Sequence, residues 1–133
     1  MIPRRPPLLD ELNEAFWTGG AAGELRILRC GACGFYLHPP YPQCPVCGSK
    51  QVAPSAVSGL GKVHSYTENV HAWVEGATPY TIALVDLPEQ EGLRVLSNLR
   101  APDPSDITIG APVRVYFEQL TDEVWLPLFE VET

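Results

Sequence analysis

Hydrophobic positions change their spacing near Gly59, and the two parts of the chain predict different structures. Between Leu8 and Trp17 the apolar residues recur at the spacing of one helix face, and acidic residues occupy the other face. Gly19-Gly20 then ends the pattern. After Gly59 the spacing becomes two, which is typical of half-buried strands. The pattern therefore predicts one N-terminal helix that docks on a mainly β body.

Five strands are predicted in the second part, with glycine and proline turns between them. They cover residues 63–70, 79–87, 93–99, 113–118 and 125–131. Short strands joined by such turns are typical of a small barrel, so we expect a five-stranded OB-fold barrel, with an SH3-like barrel as the alternative.

A pair of Cys-x-x-Cys motifs precedes the barrel. The motifs contain the only four cysteines of the chain, Cys30, Cys33, Cys44 and Cys47. Each motif can turn so that both sulfurs face one metal, and the glycine that follows can take the positive φ that such a turn needs. Two motifs build a closed tetrahedral four-thiolate site with Zn–S distances of ~2.3 Å. We therefore expect a structural Zn²⁺ that has no position open for a substrate.

Iron and disulfides are the alternatives for these cysteines. The motifs also describe rubredoxin knuckles, but here they lie closer together than in a rubredoxin, which favours zinc. Disulfides need an oxidising compartment, and the N-terminus has no apolar signal core, so we expect a cytoplasmic protein with reduced thiols. His38 lies between the motifs, and we interpret it as a strand or loop residue because four thiolates already complete the shell.

The chain is expected to divide into three units. Residues 1–29 form a tail and docking helix, residues 30–56 a rubredoxin-like zinc ribbon and its connection, and residues 57–133 the barrel. Within the ribbon, Leu25 to Arg29 and Phe35 to Leu37 predict two paired strands, whereas Ser49 to Ser58 reads as an irregular connection. So small a ribbon needs a metal to fold.

Composition and charge disfavour two classes of partner. The chain has 133 residues with a formal net charge of −7, and its 9 Lys and Arg form no cluster beyond Arg4-Arg5. This field repels phosphate backbones, so no nucleic acid is expected, although a nucleic-acid-binding ribbon and OB module is the alternative function. No apolar run approaches the ~20 residues that cross a bilayer, so no membrane is expected.

The order of these parts resembles a known family, the zinc-ribbon OB-fold proteins catalogued as domain of unknown function 35 and associated with acyl-CoA. The resemblance covers nearly the whole chain. One departure is Tyr41, where the family usually carries an arginine after the Pro-Pro of the ribbon. The matching residues are Phe16-Trp17, Gly23-Glu24-Leu25, Arg29-Cys30, Cys44-Pro45-x-Cys47-Gly48-Ser49, Gly59 to Thr67, Pro79-Tyr80, Ile109-Gly110-x-Pro112-Val113 and Leu126-Pro127-Leu128-Phe129.

The resemblance implies a non-catalytic accessory subunit in a hetero-oligomer. Members of the family look like partners of thiolase-fold enzymes, including lipid-transfer-protein-like aldolases of steroid side-chain breakdown, and others are paired with hydratases. The partner would then hold the catalytic residues, and this chain would stabilise it and help to form a shared acyl-CoA site.

The residues themselves agree that no catalytic site is to be expected. Hydrolase, nucleotide-binding, zinc-protease and dinucleotide motifs do not occur. His64, His71, Asp86 and Glu89 fall on strands or turns, where ordinary polar surface residues also fall.

A docking surface can be named instead. Tryptophan and other aromatic residues are favoured as interface anchors, and Trp73 lies in the loop between the first two barrel strands. Apolar residues of the last strand cannot all face one side, so we expect a second apolar surface on the ribbon or on another chain. The candidate contacts with a partner or acyl-CoA are Phe16, Trp17, Tyr41, Trp73, Trp125 and Phe129.

Overall fold

The computed structural model describes residues 4–71, 75 and 78–132, and this part is mainly β. It contains one short α-helix, two 3₁₀ turns and eight strands. The helix is α1 (Glu14–Thr18), the 3₁₀ turns are Gly19–Ala22 and Pro104–Asp106, and the strands are β1 (Leu25–Cys30), β2 (Tyr36–Leu37), β3 (Val52–Val57), β4 (Leu60–Asn69), β5 (Tyr80–Asp86), β6 (Arg94–Arg100), β7 (Pro112–Gln119) and β8 (Trp125–Val131).

The last five strands close into a barrel in the order β4-β5-β6-β8-β7, so the prediction of a five-stranded barrel is confirmed. Neighbouring strands are antiparallel except for β6 and β8, which pair in parallel at Leu99 with Phe129 and at Arg100 with Glu130. The period-two pattern places alternate side chains inside, where Val85, Val95 and Phe129 are 0% exposed. The barrel core is therefore the apolar face that the alternation predicts.

The ribbon has a third strand, so the prediction of an irregular connection from Ser49 to Ser58 is wrong. β3 pairs antiparallel with β1 along its whole length, from Leu25 with Val57 to Cys30 with Val52, and β1 becomes the middle strand of the order β2-β1-β3. Its sequence predicts a strand poorly because it contains Pro54 and small residues. An edge strand tolerates both, since only one of its backbone edges must pair.

The predicted helix from Leu8 to Trp17 is correct only for its last turn, because α1 begins at Glu14. The Asp10 carboxylate accepts hydrogen bonds from the N–H groups of Leu12 and Asn13, both at 2.8 Å. The Asn13 side chain in turn accepts from the Asp10 N–H at 2.8 Å and donates to the Leu8 carbonyl at 3.0 Å. Asp and Asn side chains that bond nearby backbone in this way compete with helix formation.

Gly19 and Gly20 do more than end the helix. They begin a buried 3₁₀ turn that lies directly on the barrel. A Cβ atom on Gly20 would come within 2.4 Å of the Trp125 Cβ and 2.7 Å of the Phe117 ring. Only glycine therefore lets this turn approach β7 and β8 so closely.

The ribbon and the barrel are joined through both apolar and polar contacts. Leu25 and Ile27 of β1 belong to the same apolar cluster as the barrel core. On the polar side, the Gln90 side chain accepts a hydrogen bond from the Tyr36 N–H at 2.8 Å and donates to the Tyr36 carbonyl at 3.0 Å. The boundaries between the three units stay predictions. β1 spans the first boundary, between residues 29 and 30.

Among the described residues, no helix has both the length and the apolar character that a membrane crossing requires.

Candidate metal centre and docking residues

The two cysteine motifs form two similar turns at one end of the ribbon. The first begins where β1 ends, and the Gly34 N–H donates to the Cys30 carbonyl at 2.9 Å. The second has the same bond, from the Gly48 N–H to the Cys44 carbonyl at 3.0 Å. Both glycines have positive φ, +82° and +77°. The glycine after each motif therefore has the conformation that the sequence predicts for it.

The four sulfurs lie together at the spacing of a tetrahedral metal site. Cys30 Sγ is 3.6 Å from Cys47 Sγ, Cys33 Sγ is 3.6 Å from Cys44 Sγ, and all four lie within 4.8 Å of one another. Four sulfurs around a metal at ~2.3 Å would stand about 3.8 Å apart. A disulfide would need S–S distances of about 2.05 Å. The donor set and its dimensions thus fit one metal ion with four thiolate ligands.

Without a cation the four sulfurs cannot all ionise. The Cys33 N–H lies 3.4 Å from Cys30 Sγ, and this backbone hydrogen bond lowers the pKa of Cys30 to about 6. A backbone hydrogen bond from Phe35 lowers the pKa of Cys33, but burial and the neighbouring sulfurs outweigh it and raise that pKa to about 12. A divalent cation removes this repulsion, so metal binding would release protons from the cluster.

The metal site is closed on its inner side. Cys30 and Cys44 are buried at 1% and 2% exposure, whereas Cys33 and Cys47 are exposed. In the part of the chain that the structure describes, the cysteine cluster is the one group of metal-binding residues found. Four protein ligands leave no open coordination position, which is the arrangement of structural rather than catalytic sites.

His38 follows β2 directly and does not belong to the group of metal-binding residues, which agrees with its interpretation as a strand or loop residue. Its ring contacts the Phe16 ring with 4.9 Å between centroids. Burial lowers the pKa of His38. The histidine is therefore held neutral in an aromatic contact between α1 and the ribbon.

Two of the predicted docking residues are buried. Phe129 is 0% exposed in the barrel core, so a partner could reach it only by opening the core, and for this residue the prediction is wrong. Phe16 is 9% exposed and belongs to the same cluster, but it also lines a groove between α1 and the barrel, so for Phe16 the contact stays a prediction. Both were chosen for their aromatic character, which core and interface residues share.

The other candidates lie nearer the surface. Tyr41 is 59% exposed, and it lines a cleft of about 370 Å³ between the ribbon and the β5–β6 turn. Trp17 and Trp125 are partly exposed. Trp73 lies outside the described residues.

The second apolar surface of β8 is covered by the N-terminal segment. Leu126 and Leu128 form a cluster with Val124, and partly buried Leu9 and Trp17 pack against it. The prediction of a second apolar surface is confirmed. Within the chain the N-terminal segment rather than the ribbon packs on it, and contact with another chain stays a prediction. The N-terminal segment reaches β8 because its Asp10–Asn13 turn and Gly19–Gly20 bring the chain against the barrel.

The polar residues considered for catalysis lie at the surface, and as far as the structure describes them only two, His64 and Asp86, contact each other. His64 Nδ1 is 3.1 Å from Asp86 Oδ2, and Arg94 Nε donates to Asp86 Oδ1 at 2.8 Å. Each side chain is about two-fifths exposed. His71 is exposed after β4, and Glu89 accepts a hydrogen bond from the Ser58 N–H at 2.8 Å. An exposed carboxylate shared between an arginine and a histidine is typical of a polar protein surface.

Sequence reasoning missed the roles of two residues of the β5–β6 turn: Glu89, which binds the Ser58 N–H just after β3, and Gln90, which holds the ribbon at Tyr36. Their only signal was a Pro-Glu-Gln-Glu-Gly turn, which predicts a surface loop. Nothing local marks Gln90 as a partner of Tyr36, because the two residues are 54 positions apart.

Comparison with known proteins identifies both parts of the chain. Residues 17–53 match the family model described as "ChsH2, rubredoxin-like zinc ribbon domain". Residues 55–118 match the model described as "ChsH2, C-terminal OB-fold domain".

Curated relatives carry names of three kinds. The chain is 38% identical over 127 residues to a probable enoyl-CoA hydratase alpha subunit of Thermomonospora curvata. The match covers 94% of this chain but only 39% of that relative, so the chain spans less than half of the relative's length. It is 35% identical to a DUF35 domain-containing scaffold protein of Pyrococcus furiosus, over 69% of each chain. It is 31% identical to the benzoylsuccinyl-CoA thiolase subunit BbsA of Thauera aromatica, over 68% of this chain and 67% of that one.

One solved structure matches over almost the full length of both chains. It is an Ltp2-ChsH2(DUF35) aldolase, with a TM-score of 0.76 and 38% identity, and the match covers 95% of this chain and 98% of that one. A DUF35-family protein of Sulfolobus solfataricus matches with a TM-score of 0.57 at 18% identity, which shows the shared fold alone.

Proposed function

This chain belongs to the family called domain of unknown function 35 (DUF35), in which a rubredoxin-like zinc ribbon precedes an OB-fold. We therefore propose that it is a non-catalytic accessory subunit. It binds and stabilises a thiolase-fold acyl-CoA enzyme, an aldolase or thiolase, and helps to form the acyl-CoA site of that enzyme. Steroid side-chain degradation is the proposed setting, and the cytoplasm is the proposed compartment. The unpaired cysteines support a reducing compartment.

The full-length match to a chain of the Ltp2-ChsH2(DUF35) aldolase carries this proposal. At 38% identity over nearly the whole of both chains, a shared mode of assembly is a reasonable inference. The thiolase subunit relative supports the same class of partner. The hydratase relative is more than twice as long as the matched region, so its activity is not transferred to this chain.

The proposed metal is Zn²⁺, bound by Cys30, Cys33, Cys44 and Cys47. Four thiolates in a closed site suit zinc, which has no redox chemistry and no fixed geometric preference. When bound, it would supply the charge that the clustered sulfurs need and would hold the two knuckles together. Metal analysis tests the assignment: colourless protein with one equivalent of zinc supports it, and the visible absorption of thiolate-bound iron would contradict it.

Contacts with the partner or with acyl-CoA are proposed at Trp17, Tyr41, Trp73 and Trp125. Tyr41 lies at the cleft between ribbon and barrel, where a bound acyl-CoA could touch both units. A tyrosine there offers a ring and one hydroxyl, so any contact with coenzyme A lacks the charge of the arginine that the family usually carries.

Co-expression with the thiolase-fold protein of the same organism tests the function. We expect an equimolar or paired hetero-complex on size-exclusion chromatography, with turnover of a coenzyme A thioester by the complex and none by this chain alone. Turnover by the isolated chain would contradict a non-catalytic role. A stable complex with a hydratase instead of a thiolase-fold protein would change the class of partner.

Nucleic-acid binding is tested by a gel shift at low salt with single-stranded DNA. The net charge of −7 predicts no shift. A shift at micromolar protein would support the alternative module.

A further inference from the structure

An apolar groove runs between α1 and the outer surface of the barrel. It has a volume of about 260 Å³, and Arg4 lies at one end of it. Leu96, at its mouth, is 65% exposed, which is unusual for a leucine in the middle of a barrel strand. We call it the docking groove, and the residues that define it are Trp17, Ile82, Leu96, Leu126, Pro127 and Leu128.

The groove exists because β6 and β8 separate. They pair only at Leu99 and Arg100, although β6 begins at Arg94. Pro127 has no N–H to donate, so the ladder cannot continue past it. The Ser97 hydroxyl donates to the Pro127 carbonyl at 2.8 Å in place of a backbone bond. The part of β6 around Leu96 is therefore paired on its β5 side but bordered by a gap on its β8 side.

Unpaired carboxylates flank the groove on the side of α1 and β8. Residues 6–25 and 115–132 contain acidic residues but no Lys, Arg or His, and α1 packs on β8. Most other acids of these segments form ion pairs with arginines, such as Glu130 with Arg100. In the described part of the chain five exposed or partly exposed acids of these two segments form none, and these are Asp10, Glu11, Glu14, Asp122 and Glu123.

These carboxylates are linked to the groove through the packing of its wall. Glu14 lies three residues before Trp17 on α1, so the two side chains are neighbours on the helix surface. Leu9 and Leu120 pack on the cluster of Val124, Leu126 and Leu128, and the other four acids follow these two leucines within three positions of the chain. An apolar groove with an acidic rim results.

We propose that the docking groove takes an apolar side chain or short helix of the thiolase-fold partner that is surrounded by lysine or arginine. The inference rests on the proposed function and adds the surface that carries it. An apolar anchor in a groove with complementary charges at the rim is the usual anatomy of a specific interface.

Charge argues against two other occupants. An acyl-CoA would bring its phosphates beside the five unpaired carboxylates, and Arg4 at the end of the groove offsets little of that charge because it already binds Asn98 and pairs with Glu118. A second copy related by two-fold symmetry would place the same carboxylates against each other. A basic partner surface gains from the same five charges.

Matched substitutions test the groove in the complex of this chain with its partner. Leu96→Glu places a charge at the mouth of the groove without disturbing the core, and Ile109→Glu, at a residue that is 71% exposed and outside the groove, is its control. The double variant Glu14→Lys/Glu123→Lys reverses the rim charge, and Asp106→Lys makes one such reversal at an exposed residue of the β6–β7 loop, outside the groove and the Tyr41 cleft. Affinity is measured by calorimetry, and the association rate by biolayer interferometry at two salt concentrations.

We expect Leu96→Glu to weaken the complex roughly 10-fold or more and Ile109→Glu to change it less than about 2-fold. The double lysine variant should slow association and weaken its salt dependence, whereas Asp106→Lys should not. Wild-type binding by Leu96→Glu and by the double lysine variant would overturn the groove while leaving the accessory function intact. A wild-type chain that binds no thiolase-fold protein would overturn the proposed function itself. Loss of a self-dimer in Leu96→Glu would assign the groove to a second copy instead.

Discussion

The ribbon and the barrel are stabilised in different ways although they share a chain and an apolar joint. In the ribbon cluster the fully buried residues are Leu28, Cys30, Leu37 and Cys44, and two of these are proposed metal ligands. The barrel cluster contains fifteen buried residues, including Leu25 and Ile27 from the ribbon strand β1. The comparison predicts that the end of the ribbon with the two cysteine turns depends on the proposed metal, whereas the rest of the chain depends on the burial of apolar side chains.

Metal removal should produce the largest effect and separate the two regions. Structural zinc contributes roughly 10–16 kcal/mol of apparent free energy in small domains, so a chelator or Cys44→Ser should unfold the knuckles. Hydrogen exchange should rise across residues 30–49 and stay slow in the barrel strands. Val46→Ala, at an exposed position of the second knuckle, is the control. Simultaneous loss of barrel protection would show that the regions are not independent.

Phe129→Ala should weaken the barrel and leave the metal bound. Removing a fully buried phenylalanine leaves a cavity and lowers the free energy of unfolding by about 3–5 kcal/mol. Urea denaturation measures the loss, and metal analysis should still find one equivalent. Ile109→Ala on the surface should change stability by less than about 0.5 kcal/mol. Metal loss in Phe129→Ala would contradict the separation of the two regions.

Gln90→Ala should loosen the joint between ribbon and barrel. It leaves the Tyr36 N–H and carbonyl without their partner, at a cost of about 1–3 kcal/mol. Hydrogen exchange at the Tyr36 amide should increase most, and Gln119→Ala at an exposed position is the control. An unchanged Tyr36 amide would mean that the two bonds do not hold the ribbon.

The smallest effect is a pH dependence at His38. Burial lowers the pKa of His38 in the folded protein, so between its unfolded value of 6.5 and the lower folded value only the unfolded chain gains the proton. The free energy of unfolding therefore decreases as the pH falls below 6.5, by at most about 1.4 kcal/mol per pH unit.

His38→Phe keeps a ring against Phe16 and removes the titration. The unfolding free energies of the two proteins should diverge between pH 7.5 and pH 5.5, with the wild type losing more. Contributions from the other titrating groups are common to both proteins. Parallel curves would show that His38 has no part in the pH dependence.

Much of the fold was predictable because its signals are local. A Cys-x-x-Cys-Gly turn needs only neighbouring residues, and both turns have the positive-φ glycine that the sequence implies. Strand alternation is equally local, and all five barrel strands lie where it predicts them. The N-terminal helix failed because Asp10 and Asn13 bond their own backbone, a competitor that hydrophobic spacing does not register.

Docking residues were harder to predict because burial is a property of the assembled chain. Phe129 and Trp17 look alike in sequence, but one is enclosed by the barrel and the other lies at the groove. β3 was missed because its strand character comes from pairing with β1 rather than from its own residues.

The amino-acid sequence by itself determined the two knuckle turns, the alternating barrel strands and the acidic charge, since each depends on residues that are close in the chain. The tertiary structure decided which apolar side chains are covered, how Gln90 binds the ribbon and where β6 stays open. Those features join residues tens of positions apart, and only the closure of the barrel brings them within bonding distance.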